Sequence, residues 1–409
     1  MPALPPLPHA PLVLPPEGDT TLKTLKRRVR VRALRWLMSG PLDGVSPALA
    51  RRLLTLRRDL AEPVKRSPAA ALAAVGSPDV LAPLLALSAG LADPQRLYPA
   101  LVPNLLAGLA RFAAPGRMVL WDWPVERVVD LAGGRVIEAD ASAALLTADS
   151  LELRMDGAAT PLSELPGERR FHPFGAGLYL STWDSNPLAD MEAHPDKSGN
   201  ALDLGGRSPS DWTSALGEAT ALIQQVLPEL AGELPAAAAR MLPVGYEPER
   251  HFSASYREAP GLAYLTLHPD TVTLAEAIIH ETQHNKLNRL MLLAPPLTNG
   301  QTTWTPSPVR PDLRPLDGVL LAVHAFIPVA ALHERLAATN HPLSTTGRFP
   351  VRRHEVLSSN ARGMAVLVDK AAPTEAGATL LRDLKTLHEA LLERAPEPPD
   401  LSLEGPSVG

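Results

Sequence analysis

Apolar residues recur at helical spacing through the first quarter of the chain. In "TTLKTLKRRVRVRALRWLMSG", which starts at Thr20, Leu22, Leu25, Val29 and Leu34 fall on or near one stripe. Lys and Arg fall elsewhere, so the segment reads as a basic amphipathic helix. "SPALARRLLTLRRDLAEPVKR", "SPAAALAAVG", "SPDVLAPLLALSAGLA" and "PQRLYPALVPNLLAGLARF" follow. Each opens near Ser-Pro or Pro, which suits the first turn of a helix. From Gly116 the pattern changes to short β-branched runs separated by turn residues. The Gly-Gly between "ERVVDLA" and "RVIEA" predicts a hairpin. Residues 185–209 are polar and rich in turn formers, and a loop of that length is usually functional or disordered. Next comes a helix capped by Ser210 or Asp211, with Trp212, Leu216, Ala219 and Ile223 on one face. A short strand at about 261–267 leads into "AEAIIHETQHNKLNRLMLL", and the last two helical runs are "GVLLAVHAFIPVAALHERLAATN" and "TEAGATLLRDLKTLHEALLERA".

These patterns predict a mainly α fold with a smaller β portion, in the α+β class. The expected organisation is a Pro-rich disordered leader (1–18), a helical region (19–115) and a β-hairpin region (116–184). A catalytic metal-binding region (185–396) and a disordered tail (397–409) complete it. No internal repeat is visible.

Composition narrows the chemistry. Of 409 residues, 45% are apolar and 20% charged, the balance of a soluble globular protein. Proline, at 44 residues, is about twice as frequent as usual and punctuates the helices. A net charge of -5 gives no global basic field, so nucleic acid is not an expected partner. With no cysteine, disulfides, Cys-ligated zinc, iron–sulfur clusters and thiol catalysis are all excluded. No run of about 18 uninterrupted apolar residues occurs, and the start of the chain lacks the basic, apolar order of a signal peptide. The expectation is a cytoplasmic protein without a membrane partner. The basic stretch from Lys23 to Arg35 reads as a solvated helix face, with docking of an acidic precursor peptide as the sharper alternative.

Histidine is then the soft metal ligand at hand, and His280-Glu281-Thr282-Gln283-His284 places two on one helix. Residues four apart face the same way, so His280 and His284 project toward one point. A third ligand must come from elsewhere, because "HETQHNKLNRL" lacks the later Gly and His of the metzincin pattern. His324, alone in an apolar helix, is the candidate, with His333 and Glu334 behind it. Glu281 is the candidate catalytic residue. It would be a general base in a zinc peptidase, or would tune the ligands or contact substrate in an oxygenase.

Five blocks carry a resemblance, in order: "HPDKSGNALDLG", "LPVGYEPERHFSASYREAPGLAYLTL", "TLAEAIIHETQHNKLNRLMLL", "VRPDLRPLDGVLLAVHAFIPVAAL" and "RRHEVLSSNARGMAVL". Over about 185–368 the chain resembles the His-Glu-x-x-His-type peptide β-hydroxylases, which modify ribosomally made peptides. The resemblance implies an enzyme using iron(II), 2-oxoglutarate and O₂ to hydroxylate a side-chain β-carbon of a precursor peptide, with His280 and His284 as ligands. 2-Oxoglutarate would need an arginine for its far carboxylate. "RPDLRPLDG" offers Arg310 and Arg314, and "GRFPVRRHE" offers Arg348, Arg352 and Arg353; Arg353 and Arg314 are favoured. Ser253, Ser255 and Tyr256 are candidate polar contacts for substrate, and Asn360 is another. A zinc peptidase and a non-catalytic peptide-binding protein with structural histidines remain the competing readings.

Overall fold

The computed structural model describes residues 4–111, 118–147, 150–191, 193–194, 197–307, 312–395 and 397–401. Helices dominate and strands form several small sheets, as the mainly α, α+β expectation has it. Five helices come first: α1 (Thr21–Ser39), α2 (Pro47–Arg66), α3 (Pro68–Val75), α4 (Pro78–Ser88) and α5 (Pro94–Arg111). The last four start on proline, whose fixed φ and missing N–H cost nothing in a first turn. On α1 the stripe Leu22, Leu25, Val29, Ala33 and Leu37 is buried.

Strands β1 (Val119–Trp121), β2 (Val125–Asp130), β3 (Arg135–Ala141), β4 (Ala143–Leu146), β5 (Leu151–Met155), β6 (Ala158–Pro161) and β7 (Glu168–Arg169) form two antiparallel sheets. Their orders are β1-β4-β5-β6 and β2-β3-β7. The β2–β3 hairpin turns at the expected Gly-Gly, with Gly134 at φ +68°. The helical and hairpin regions are not separate cores. Leu101 and Leu105 of α5 share one buried cluster with Trp121, Val128 and Leu153.

The hairpin region also ends earlier than its expected boundary at 184. Strands β8 (Phe171–Gly175) and β9 (Leu178–Ser181) belong to a later sheet. After short β10 (Ala193–His194) and β11 (Lys197–Ser198) come α6 (Pro209–Val226), α7 (Pro228–Ala231) and α8 (Leu234–Ala237). Strands β12 (Arg240–Tyr246), β13 (Ser253–Ala254) and β14 (Leu262–Leu267) complete the sheet, ordered β13-β14-β12-β9-β8. Its centre is parallel (β14, β12, β9) and its edges antiparallel. Helix α6 starts two residues earlier than expected. Ser208 is its cap and forms a reciprocal box with Asp211, while Trp212, Leu216, Ala219 and Ile223 are buried as expected.

From β14 the chain passes directly into α9 (Thr271–Leu293), which carries the histidines. After the β15 (Trp304–Pro306) and β16 (Leu313–Pro315) pair come α10 (Leu316–Ala338), α11 (Phe349–Lys370) and α12 (Glu375–Leu392). Pro350 sits in the first turn of α11 and does not break it. Helix α10 is long and apolar enough to cross a membrane, but 78% of its apolar window is buried inside the protein, where it packs as a core helix.

The leader corrects its expectation most. Instead of disorder, residues 4–15 lie against the main core, with Leu7, Ala10, Val13 and Leu14 buried in it; residues 1–3 lie outside the described residues. The Leu12 carbonyl accepts from His324 Nε2 at 2.9 Å, and the Val13 carbonyl accepts from Gln283 Nε2 at 2.9 Å. Proline brings no N–H to satisfy, and the intervening Leu, Ala and Val supply apolar surface. The segment can therefore be buried at small polar cost. Of the expected disordered tail, residues 402–409 lie outside the described residues. Asp400 N donates to Ser358 Oγ at 2.9 Å, so the tail's start lies on α11.

Candidate metal centre and adjoining cavity

Helix α9 starts on Asp270, whose carboxylate accepts from Thr273 N at 2.7 Å and Thr273 Oγ1 at 2.8 Å. No Gly or Pro interrupts it for 23 residues, and its polar side chains are buried almost throughout. Buried polar groups need partners, and these fix the helix rotation. Asn285 shows this most clearly: its Oδ1 accepts from Gly261 N at 2.6 Å and its Nδ2 donates to the Leu262 carbonyl at 2.9 Å. That ties the turn after His284 to the start of β14.

With the helix so held, His280 and His284 lie edge to face, ring centroids 4.3 Å apart. Potential ligand atoms of His280, Glu281 and His284 all lie within 4.8 Å of one another. The Nδ1 atoms of both rings are buried without a hydrogen-bond partner. Burial, then the charges of His284, His251 and Arg352, holds the His280 imidazolium far below its usual range. Burial and then Arg314 bring His284 down to about 4. Both rings are thus neutral at physiological pH, the form that binds a metal. Two neutral imidazoles and a carboxylate at one point are a donor set that fits Zn²⁺ or iron(II).

Glu281 is buried, its Oε1 4.0 Å from His280 Nε2, and its Oε2 accepts from the Ser255 hydroxyl. Ser255 thus acts on Glu281. Ser253 lines a cavity of about 750 Å³ that opens beside His280, within the size range of small-molecule sites. Phe326 of α10 also lines it and meets the His280 ring edge-on at 4.6 Å.

The other expected residues are placed differently. His324 is not in the cluster: its Nε2 is taken by the Leu12 carbonyl, while its Nδ1 is buried without a partner among the described residues. His333 Nε2 lies 2.7 Å from Glu276 Oε1, and Glu334 pairs with Arg353 at 2.5 Å. Arg353 is thereby held outside the cavity, and its neighbour Arg352 lines it in its place. Consecutive helical residues point about 100° apart, so α11 can present only one of them. Arg352 is braced by two bonds to Glu276 Oε2, 2.9 and 2.8 Å long. Arg314 bonds Asp312 at 3.3 Å and acts on His284 through its charge; Arg310 lies outside the described residues. Tyr256 turns away from the motif, donating to the Ala189 carbonyl at 2.8 Å and accepting from Asn200 at 2.7 Å. Asn360 braces the helices, its Nδ2 donating to the Phe326 carbonyl at 3.0 Å.

Two residues of the site were not singled out in the sequence. His251 lines the cavity with His280, and its Nδ1 lies 3.3 Å from Thr266 Oγ1, which orients the ring. Glu276 lies one turn before His280 on the same helical face, a spacing that was available as a signal. Burial alone would raise its pKa, but His333 and Arg352 overcome this and hold it at about 2. Comparison of the chain with protein-family models and with curated proteins finds no match in either.

Proposed function

We propose that this chain is an iron(II)- and 2-oxoglutarate-dependent dioxygenase of the cytoplasm that hydroxylates a side-chain β-carbon of a ribosomally made peptide. The observation that carries the reading is the His280–His284 pair, meeting Glu281 at one point beside a cavity of about 750 Å³ that Arg352 also lines. The ordered sequence blocks around the motif support it. His280 and His284 would hold the metal, with His251, which lines the same cavity, and His324 as the candidates for a third ligand. Iron held there would activate O₂, the oxidant, with one oxygen atom going to the peptide and the other to succinate as 2-oxoglutarate loses CO₂. The chain's own residues bind and orient. Arg352 faces the cavity with Nε and Nη2 on Glu276 and Nη1 3.8 Å from Glu355 Oε2, so Nη1 is the donor that a carboxylate in the cavity would engage. Ser255 fixes the rotamer of Glu281, and Phe326 limits rotation of the His280 ring.

The second reading, a zinc peptidase, is favoured by one observation: Glu281 lies in the same cluster as both histidines, where a general base for metal-bound water would be needed. Metal analysis of anaerobically purified protein separates the two. The first reading expects an iron(II) form with a visible absorption band that depends on 2-oxoglutarate. The second expects zinc, no such band, and a Glu281→Gln variant that keeps metal and loses hydrolysis. Iron-loaded protein that shows neither the band nor succinate formation with a peptide substrate would rule out the first.

A further inference from the structure

On the far side of α9 from the histidines, three cations converge without a countercharge. Lys26 and Arg30 lie one turn apart on α1, and Arg289 is on α9, only 3% exposed. Together with Gly76, Pro78 and Gly261 they line a cavity of about 150 Å³ between the N-terminal helices and the motif helix. None of the three forms an ion pair with a described residue. The hydrogen bond found for Arg289 runs to a neutral acceptor, from Nη1 to the Asn285 carbonyl at 2.6 Å. Asp79, beside Pro78, is held by Arg240 through two bonds of 2.8 and 2.6 Å and is not free to serve.

The surrounding backbone is shaped to let these groups in. A Cβ at residue 76 would lie 2.1 Å from Arg30 Nε, so a larger residue there would displace the guanidinium from its present position. Gly261 adopts φ +106°, and a Cβ on it would contact Arg289 Nη2. The N-terminus of α4 begins at the same cavity and adds its positive dipole end. Burial, then Arg289 and Arg30, lowers the pKa of Lys26 to about 7, and burial and Arg30 bring Arg289 to about 9. Buried charges in folded proteins are normally paired, and here no described residue supplies the pairing partner.

We propose that Lys26, Arg30 and Arg289 form a binding site for a phosphate-sized tetrahedral oxyanion, which joins the N-terminal helical layer to the motif helix. Three cations outweigh a single carboxylate or chloride, and a doubly charged oxyanion with several acceptor oxygens can bond all of them at once. The cavity has room for one such group and not for a nucleotide.

The test uses the full chain, titrated with inorganic phosphate at constant ionic strength, with acetate and chloride as controls and O-phosphoserine as a monoester. Calorimetry and the thermal midpoint are the readouts. Phosphate is expected to bind saturably and to raise the midpoint, since a ligand selective for the folded state stabilises it. Equal binding of O-phosphoserine identifies a phosphomonoester, and binding of phosphate alone identifies the free ion. Lys26→Gln and Arg30→Gln, both half-buried positions, should each weaken phosphate by about tenfold or more. They should also raise the midpoint in anion-free buffer, because they relieve cation repulsion. The order of wild type and variant stability therefore crosses as phosphate is added. A phosphate response no larger than that of acetate, or one unchanged in Arg30→Gln, overturns the site.

Discussion

Helices α9 and α10 are each 23 residues long and pack against each other in the main core, but they bury different groups. Over its middle, α10 buries mainly aliphatic side chains, among them Leu320, Val323, Ile327 and Val329. Helix α9 buries Glu276, Glu281, Gln283, Asn285, Lys286 and Arg289. Their histidines differ in the same way. On α10, His324 and His333 each engage a protein oxygen through Nε2. On α9, His280 and His284 are turned toward a shared point with a carboxylate. Helix α10 is a structural rod. Helix α9 gathers two histidines and a carboxylate on one face, and hydrogen bonds from Gln283 and Asn285 on the others fix its rotation.

The largest test of this contrast exchanges the histidines. His280→Ala or His284→Ala should remove stoichiometric metal, with affinity falling about 100-fold or more, whereas His324→Ala should retain it. Metal analysis after dialysis reads the outcome; equal loss in all three variants would erase the distinction between the helices. Next in size, Leu320→Ala on α10 should cost about 2–5 kcal/mol of stability by chemical denaturation, through lost burial and a cavity. Glu276→Gln on α9 should cost about 3 kcal/mol at neutral pH, the equivalent of lowering a carboxylate pKa from 4.5 to about 2. Because the folded pKa is depressed, that stabilisation is complete above 4.5 and fades as pH falls toward 2. The variant should lack this part of the acid slope, and an unchanged slope would show that Glu276 is not the group responsible. The smallest effect is expected for Gln283→Met, which removes a donor to the Val13 carbonyl. A loss of about 1 kcal/mol, accompanied by faster amide exchange in residues 10–14, would place the leader's anchor on α9.

The parts of this architecture that were legible in the sequence depend on local signals. The Pro-initiated helices, the Gly-Gly hairpin and the His280–His284 spacing each follow from a few neighbouring residues. The parts that were not legible depend on long-range contacts. Nothing local distinguishes Arg352 from Arg353, because the choice is made by Glu276 and Glu334 on two other helices. His324 reads like His280 until Leu12, 312 residues away in sequence, is found to occupy its Nε2. His251 follows no helical spacing with the motif, since it reaches the cavity from the loop before β13. The leader was misread for the opposite reason. Proline density is a composition signal for disorder, and it does not reveal a groove formed by elements 270 or more residues downstream.

That buried leader also dictates an order of events during synthesis. The Val13 carbonyl waits for Gln283, the Leu12 carbonyl for His324, and the Pro6 carbonyl for Arg394 Nη2, 388 positions later. Pro6, Leu12 and Val13 are thus synthesised 270 to 388 positions ahead of the side chains that hold them. Contacts of such separation close late, and until then the apolar lining of the groove and Leu7, Val13 and Leu14 are exposed together. The interval before those downstream segments exist is the one in which chaperone capture is most useful.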